Sequence, residues 1–129
     1  MNKYLLTFLI CITIVILDQL SKYLVTIYIP LYSSIDILPV LDFTHIRNTG
    51  VAFGMLQNLP ASLKLPFFIV VFLVAVVVVI SIIRNTDSSH KSMIIGLSLI
   101  LAGAIGNSID RFRLGYVTDF IDFHWFNNP

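Results

Sequence analysis

Three long apolar stretches, at about residues 4–25, 65–83 and 92–109, set the pattern of this chain. Each is close to the ~20 residues that a helix needs to cross a bilayer, so the pattern predicts three transmembrane helices in an all-α integral membrane protein. Strands are disfavoured at that depth, because an open sheet edge would leave backbone groups unpaired in lipid. The second stretch, LPFFIVVFLVAVVVVISII, is apolar on every side and rich in valine, and reads as a lipid-facing wall without chemistry. In the third, Ser98, Ala102 and Gly106 recur at i, i+4 and i+8 and form a stripe that lets a neighbouring helix approach closely. Between the first two stretches the period shortens. In IDILPVLDFTHI, Ile35 and Ile37, then Leu41 and Phe43, alternate as strand residues do, predicting a small β or amphipathic platform at the extracytoplasmic interface between helices 1 and 2.

Composition sharpens this picture. Charged residues make up 12% of the chain, about half the share of a soluble domain, which argues against a water-soluble fold. The length allows one membrane domain over 1–129. A net charge of +1 supplies no field that would recruit nucleic acid. Cys11 is alone, inside an apolar run, so it reads as a small buried or lipid-facing side chain. His45, His90 and His124 lack metal-ligand spacing, and neither a metal nor an organic cofactor is expected. The N-terminus opens like a secretory signal peptide, with Lys3 before an uncharged run. Asp18, Gln19, Lys22, Tyr23 and Leu24 then stand where a cleavage site wants small residues, so the helix is expected to be retained. In a zigzag, Lys3, Arg84 and Lys91 share one side, which the positive-inside rule places in the cytoplasm. Residues 26–64 and 110–129 are then extracytoplasmic. Arg47, Lys64, Arg111 and Arg113 lie on that outer side and weaken the bias.

The candidate chemistry sits where the helices emerge. Asp18 and Lys22 are i, i+4 on one helix and can pair. Counted from Tyr4, they lie about 21 and 27 Å along it, toward the outer end of a ~30 Å core. Charge at such depth is a functional signal by default. In HIRNTGVAFG, Gly50 and Gly54 permit close backbone approach, and Asn48 offers both donors and an acceptor. In GNSIDRFRLGYVTDFIDF, Asn107 and Asp110 are i, i+3 and face one side, while Arg111 is placed to neutralise a carboxylate. Gly115 marks a turn. Asp119 lies among Tyr116, Val117, Phe120 and Ile121, company that suits a shared proton or a general acid. All seven acidic residues are Asp, and with no Ser-His or Cys-His signature, carboxylates are the only evident catalytic groups.

Four blocks, DQLSK (18–22), RNTGVAFG (47–54), GNSIDR (106–111) and VTDFIDF (117–123), occur in an order that resembles lipoprotein signal peptidase, or signal peptidase II. The resemblance spans nearly the whole chain. It implies a four-helix aspartic endopeptidase of the bacterial inner membrane that cleaves signal peptides from diacylglyceryl-modified prolipoproteins, just before the lipidated cysteine and near the extracytoplasmic face. Prolipoprotein and membrane lipid are the implied partners. Asp119 then corresponds to one of two catalytic aspartates; Asp18, Lys22, Asn48, Asn107, Asp110 and Arg111 match positions that shape the site or contact substrate. The family's second catalytic aspartate lies in a later block resembling Phe-Asn-x-Ala-Asp, whereas Phe126 and Asn127 here are followed by Asn128 and Pro129. The resemblance therefore implies a C-terminally incomplete sequence, inactive by itself. Asp122 would face Asp119 only in a helix, and Asp110 is expected to be held by Arg111. The alternative class is a non-enzymatic transport or interaction module in which buried Asp and Lys line an ion route.

Overall fold

A computed structural model describes residues 1–49 and 58–123. Gly50 and Gly54, and the terminal Phe126 and Asn127, lie outside the described residues. The elements are α1 (Lys3–Tyr28), β1 (Ser34–Leu38), β2 (Leu41–Asn48), α2 (Ala61–Arg84), α3 (Lys91–Leu114) and β3 (Val117–Phe123). All three helices are long and apolar enough to cross a membrane. They run past the apolar stretches at their outer ends, because a helix continues while its backbone bonds are satisfied, whatever its side chains. Asp110 and Arg111 are consequently helical residues of α3.

The helices run up, down and up. At one end Lys3 Nζ donates to Arg84 O and Thr86 O, both at 2.8 Å, and so fills carbonyls at the end of α2. Lys91 Nζ donates to Met1 O at 3.2 Å, and the Asn2 side chain caps α1 by accepting from Tyr4 N at 2.7 Å. In the connecting turn, the backbone N–H of Ser89 donates to Asp87 Oδ1 and holds that carboxyl below the usual carboxylate range. A cation on a helix C-terminus stabilises it by about 0.3–1 kcal/mol. Lys3→Met is expected to lower stability by that amount, measured by thermal unfolding in detergent, whereas Lys3→Arg is expected to retain most of it.

Between α1 and α3 the small-residue stripe does what the spacing predicted. Ser98 and Ala102 are wholly buried and Gly106 is buried, so the helices come close along this line. Ser98 Oγ donates to Ile94 O at 2.7 Å and lies 3.0 Å from Thr7 Oγ1, whose own hydrogen completes the contact; Cys11 Sγ donates to Ser98 O at 3.6 Å. Val79 and Ile83 of α2 pack with Ile94, Leu97 and Leu101 of α3 in an apolar core. Phe8, Ile16, Val70, Val74, Val77 and Ile100 point outward and exposed, an arrangement suited to lipid.

The platform is a three-stranded antiparallel sheet in the order β1-β2-β3. Its third strand was not expected: the alternation between helices 1 and 2 announced only β1 and β2, and β3 arrives from beyond α3. Gly115, at φ 82°, makes that return possible, since its left-handed conformation ends α3 with its N–H on Arg111 O at 3.0 Å. β3 pairs along β2 from Leu41↔Phe123 to Asn48↔Val117, covering an edge that would otherwise stand open. An irregularity between Phe43 and Ile46 buries the consecutive residues Thr44 and His45, which simple alternation would separate. His45 Nδ1 donates to Ile29 O at 2.8 Å and ties the sheet to the end of α1.

Candidate active site

Lys22 is the centre of the site. It is only 6% exposed, and an ammonium so placed must find an acceptor for each of its three hydrogens. It finds Asp18 Oδ2 at 2.8 Å, Asp110 Oδ2 at 2.9 Å and Asn107 Oδ1 at 3.2 Å. The first contact is the expected i, i+4 pair within α1; the other two cross to α3. Asp110, 2% exposed, also accepts from Gln19 Nε2 at 3.1 Å and from the backbone N–H of Thr118 at 3.1 Å. Every oxygen of this buried carboxylate is thus engaged.

Asp110 is held by Lys22 of α1, with Arg111 within electrostatic reach. Successive residues on a helix point about 100° apart. Asp110 therefore reaches α1, while Arg111 reaches α2, where its guanidinium lies 3.9 Å from the centre of the Phe68 ring. That contact also amends the view of α2 as a wall without chemistry, since its outer turns supply the ring on which Arg111 rests. Arg111 lies within electrostatic reach of both Asp110 and Asp119, and with Thr49, Lys64 and Phe68 it lines a cavity of about 200 Å³.

Two residues that the sequence pattern did not assign to the site hold the cluster together. Gln19 Nε2 lies 3.1 Å from Asp18 Oδ2, 3.2 Å from Gly106 O and 3.1 Å from Asp110 Oδ1, so one amide braces both carboxylates. Its signal was a polar residue beside Asp18 in an otherwise apolar helix. Gly106 is the second. A Cβ there would overlap Asp18 Oδ2 and lie 3.0 Å from Asp18 Cγ, so the absence of a side chain is what admits the carboxylate.

Asp119 is placed by backbone. Thr118, its neighbour, is fastened to Asp110, so the clamp across the Gly115 turn sets where β3 begins and where Asp119 stands. Asp119 pairs with Ile46 across the sheet, and Asn48 ends β2 opposite Val117, two residues away. Asp18, Lys22, Asn107 and Asp110 meet in one network; Arg111 lies within electrostatic reach of Asp110 and Asp119, and Asn48 stands at the end of β2. Asp122 does not face Asp119. Residues 117–123 form a strand, where positions three apart point to opposite sides. Asp122 instead stands across from Asp42, which stands across from Asp36.

Three bilayer-length helices, two of them joined by an ionic cluster, define a multi-pass membrane protein, and its structural neighbours are membrane enzymes. One solved bacterial membrane enzyme matches with a TM-score of 0.78 at 32% identity, covering 92% of this chain and 70% of that one. A second matches with a TM-score of 0.76 at 31% identity, covering 95% and 78%. Residues 10–129 match the family model described as signal peptidase (SPase) II, and the chain belongs to that family of peptidases. A lipoprotein signal peptidase of Coxiella burnetii (strain RSA 493) is 44% identical over 113 residues, which are 88% of this chain and 69% of the relative. One of Maridesulfovibrio salexigens is 36% identical over 126 residues, 97% and 81% of the two chains.

Proposed function

We propose that this protein acts as an aspartic endopeptidase of the bacterial inner membrane, removing signal peptides from diacylglyceryl-modified prolipoproteins just before the lipidated cysteine. Its site lies near the extracytoplasmic face, and substrate enters laterally, because acyl chains and signal helix already reside in the bilayer. The observation that carries the reading is the Thr118–Asp110 clamp, which seats Asp119 one residue from a fully bonded, buried ionic cluster. The cluster is a rigid mount. Lys22, Asp18, Asn107 and Asp110 satisfy one another and leave Asp119 to the chemistry. Arg111 beside Asp119 balances negative charge, and Asn48 grips the peptide backbone.

Hydrolysis by carboxylates needs two of them: one ionised to take a proton from water, the other protonated to support the carbonyl oxygen and then the leaving amine. Asp18 and Asp110 are committed to Lys22, Asp36, Asp42 and Asp122 stand across from one another in the sheet, and Asp87 is at the opposite end of the helices. On this reading Asp119 is one of the two. In a cleavage assay on a lipidated precursor, Asp119→Asn should lower the rate by about 10²–10⁴-fold. A protein that cuts equally well after Asp119→Asn overturns the assignment.

A further inference from the structure

The outer end of the molecule carries more positive charge than its proposed chemistry uses. Lys22 is neutralised by two carboxylates, and Arg111 lies on Phe68 beside Asp119. Arg47 and Arg113 are used by none of that chemistry. Arg47 comes from β2 and Arg113 from the last turn of α3, yet both line one cavity of about 150 Å³ on the side of α1 and α3 away from Phe68. The Arg47 guanidinium is held 4.8 Å from the centre of the Tyr116 ring, which orients it. Among the described residues neither arginine is ion-paired. Lys22 and Asp110 also border the cavity, but they are engaged with each other, and the buried His45 has Nδ1 turned to Ile29 O. The balance of the cavity is cationic.

We infer that this cavity binds the phosphate of an anionic phospholipid headgroup in the outer leaflet. Its level supports a lipid. Thr26 and Arg113, near the outer ends of α1 and α3, mark where spans of bilayer length enter the headgroup layer, and Tyr23, 62% exposed, stands at the rim as interfacial aromatics do. Its chemistry supports a phosphodiester, since guanidinium groups present planar, paired donors to phosphate oxygens. Its size admits a headgroup fragment and excludes a whole drug-sized ligand, which needs about 300 Å³ or more. Such a site also accounts for outer cations that run against the positive-inside rule. The inference rests on membrane placement and is independent of the peptidase reading.

The test uses the full chain in nanodiscs of phosphatidylcholine with a minor fraction of phosphatidylglycerol, counting lipids retained on release by native mass spectrometry. Wild-type protein should retain phosphatidylglycerol in preference to phosphatidylcholine. Arg113→Gln, an exposed change that leaves the core untouched, should reduce that preference about fivefold, the equivalent of about 1 kcal/mol per cation near an anionic lipid surface. Arg47→Gln should act likewise, and Arg113→Lys should lose less. Lys91→Gln, at the opposite end, reports diffuse attraction and should change it little. Equal retention of the two lipids, or equal effects of Arg113→Gln and Lys91→Gln, overturns the inference. So does an Arg113-dependent affinity for inorganic phosphate in detergent without any lipid preference, which would mark a free-anion site.

Discussion

Lys22→Met is expected to destabilise the protein by about 3–5 kcal/mol, the cost of removing one partner from a buried charge cluster. The methionine fills most of the volume, so the loss is electrostatic. Asp110 would remain buried and Asp18 half-buried, facing each other across a site from which the cation bonded to both has gone. The damage should spread to β3, because the oxygen of Asp110 that receives Lys22 also receives the Thr118 N–H. Unfolding in detergent should show the loss, and amide exchange at Thr118 should rise beyond what the global change accounts for. A triple replacement, Lys22→Met with Asp18→Asn and Asp110→Asn, should be less destabilised than Lys22→Met alone, since neutral amides cost less to bury than unpaired carboxylates. A triple variant as unstable as the single one would show that the cluster is held by packing.

Gly106→Ala should cost about 1–3 kcal/mol, the range for forcing an extra carbon into a packed site. The obstacle is a carboxylate two bonds from the backbone and already bonded to Lys22, so it has little room to swing aside. The matched control is Gly103→Ala, one turn earlier on the same helix. Nothing lies within 4 Å of a Cβ there. That change should be neutral or stabilising by up to about 1 kcal/mol, because alanine is the better helix former. Adding Asp18→Ser to Gly106→Ala should recover packing while leaving the ion pair broken, separating steric from electrostatic loss. Equal behaviour of the two glycine variants would refute the role given to Gly106.

Much of the architecture was legible in the residue pattern. Bilayer-length apolar runs have one solution in lipid, and the recurrence of Ser98, Ala102 and Gly106 every four residues announced a close helix contact, found against α1. The Asp18–Lys22 pair was equally readable, because i, i+4 neighbours on a helix meet whatever surrounds them. Gln19 was not. Its single side chain serves two carboxylates on different helices, and no local spacing encodes that. Asp110 misled for a related reason: Arg111 adjoins it in sequence, yet adjacent helical side chains diverge, and its cation comes from a residue 88 positions away.

Sequence alone determined the three membrane-crossing helices, the strand character of the segment after α1 and the charge pair within one helix, because each depends on periodicity and on the cost of exposing polar groups to lipid. Tertiary structure decided the partner of Asp110, the third strand, the side of the sheet on which Asp122 stands and the closeness of Asp18 to Gly106. Those depend on which helix faces lie together and on where the Gly115 turn sends the chain. Distances between residues far apart in sequence are set by packing, and local pattern carries no record of them.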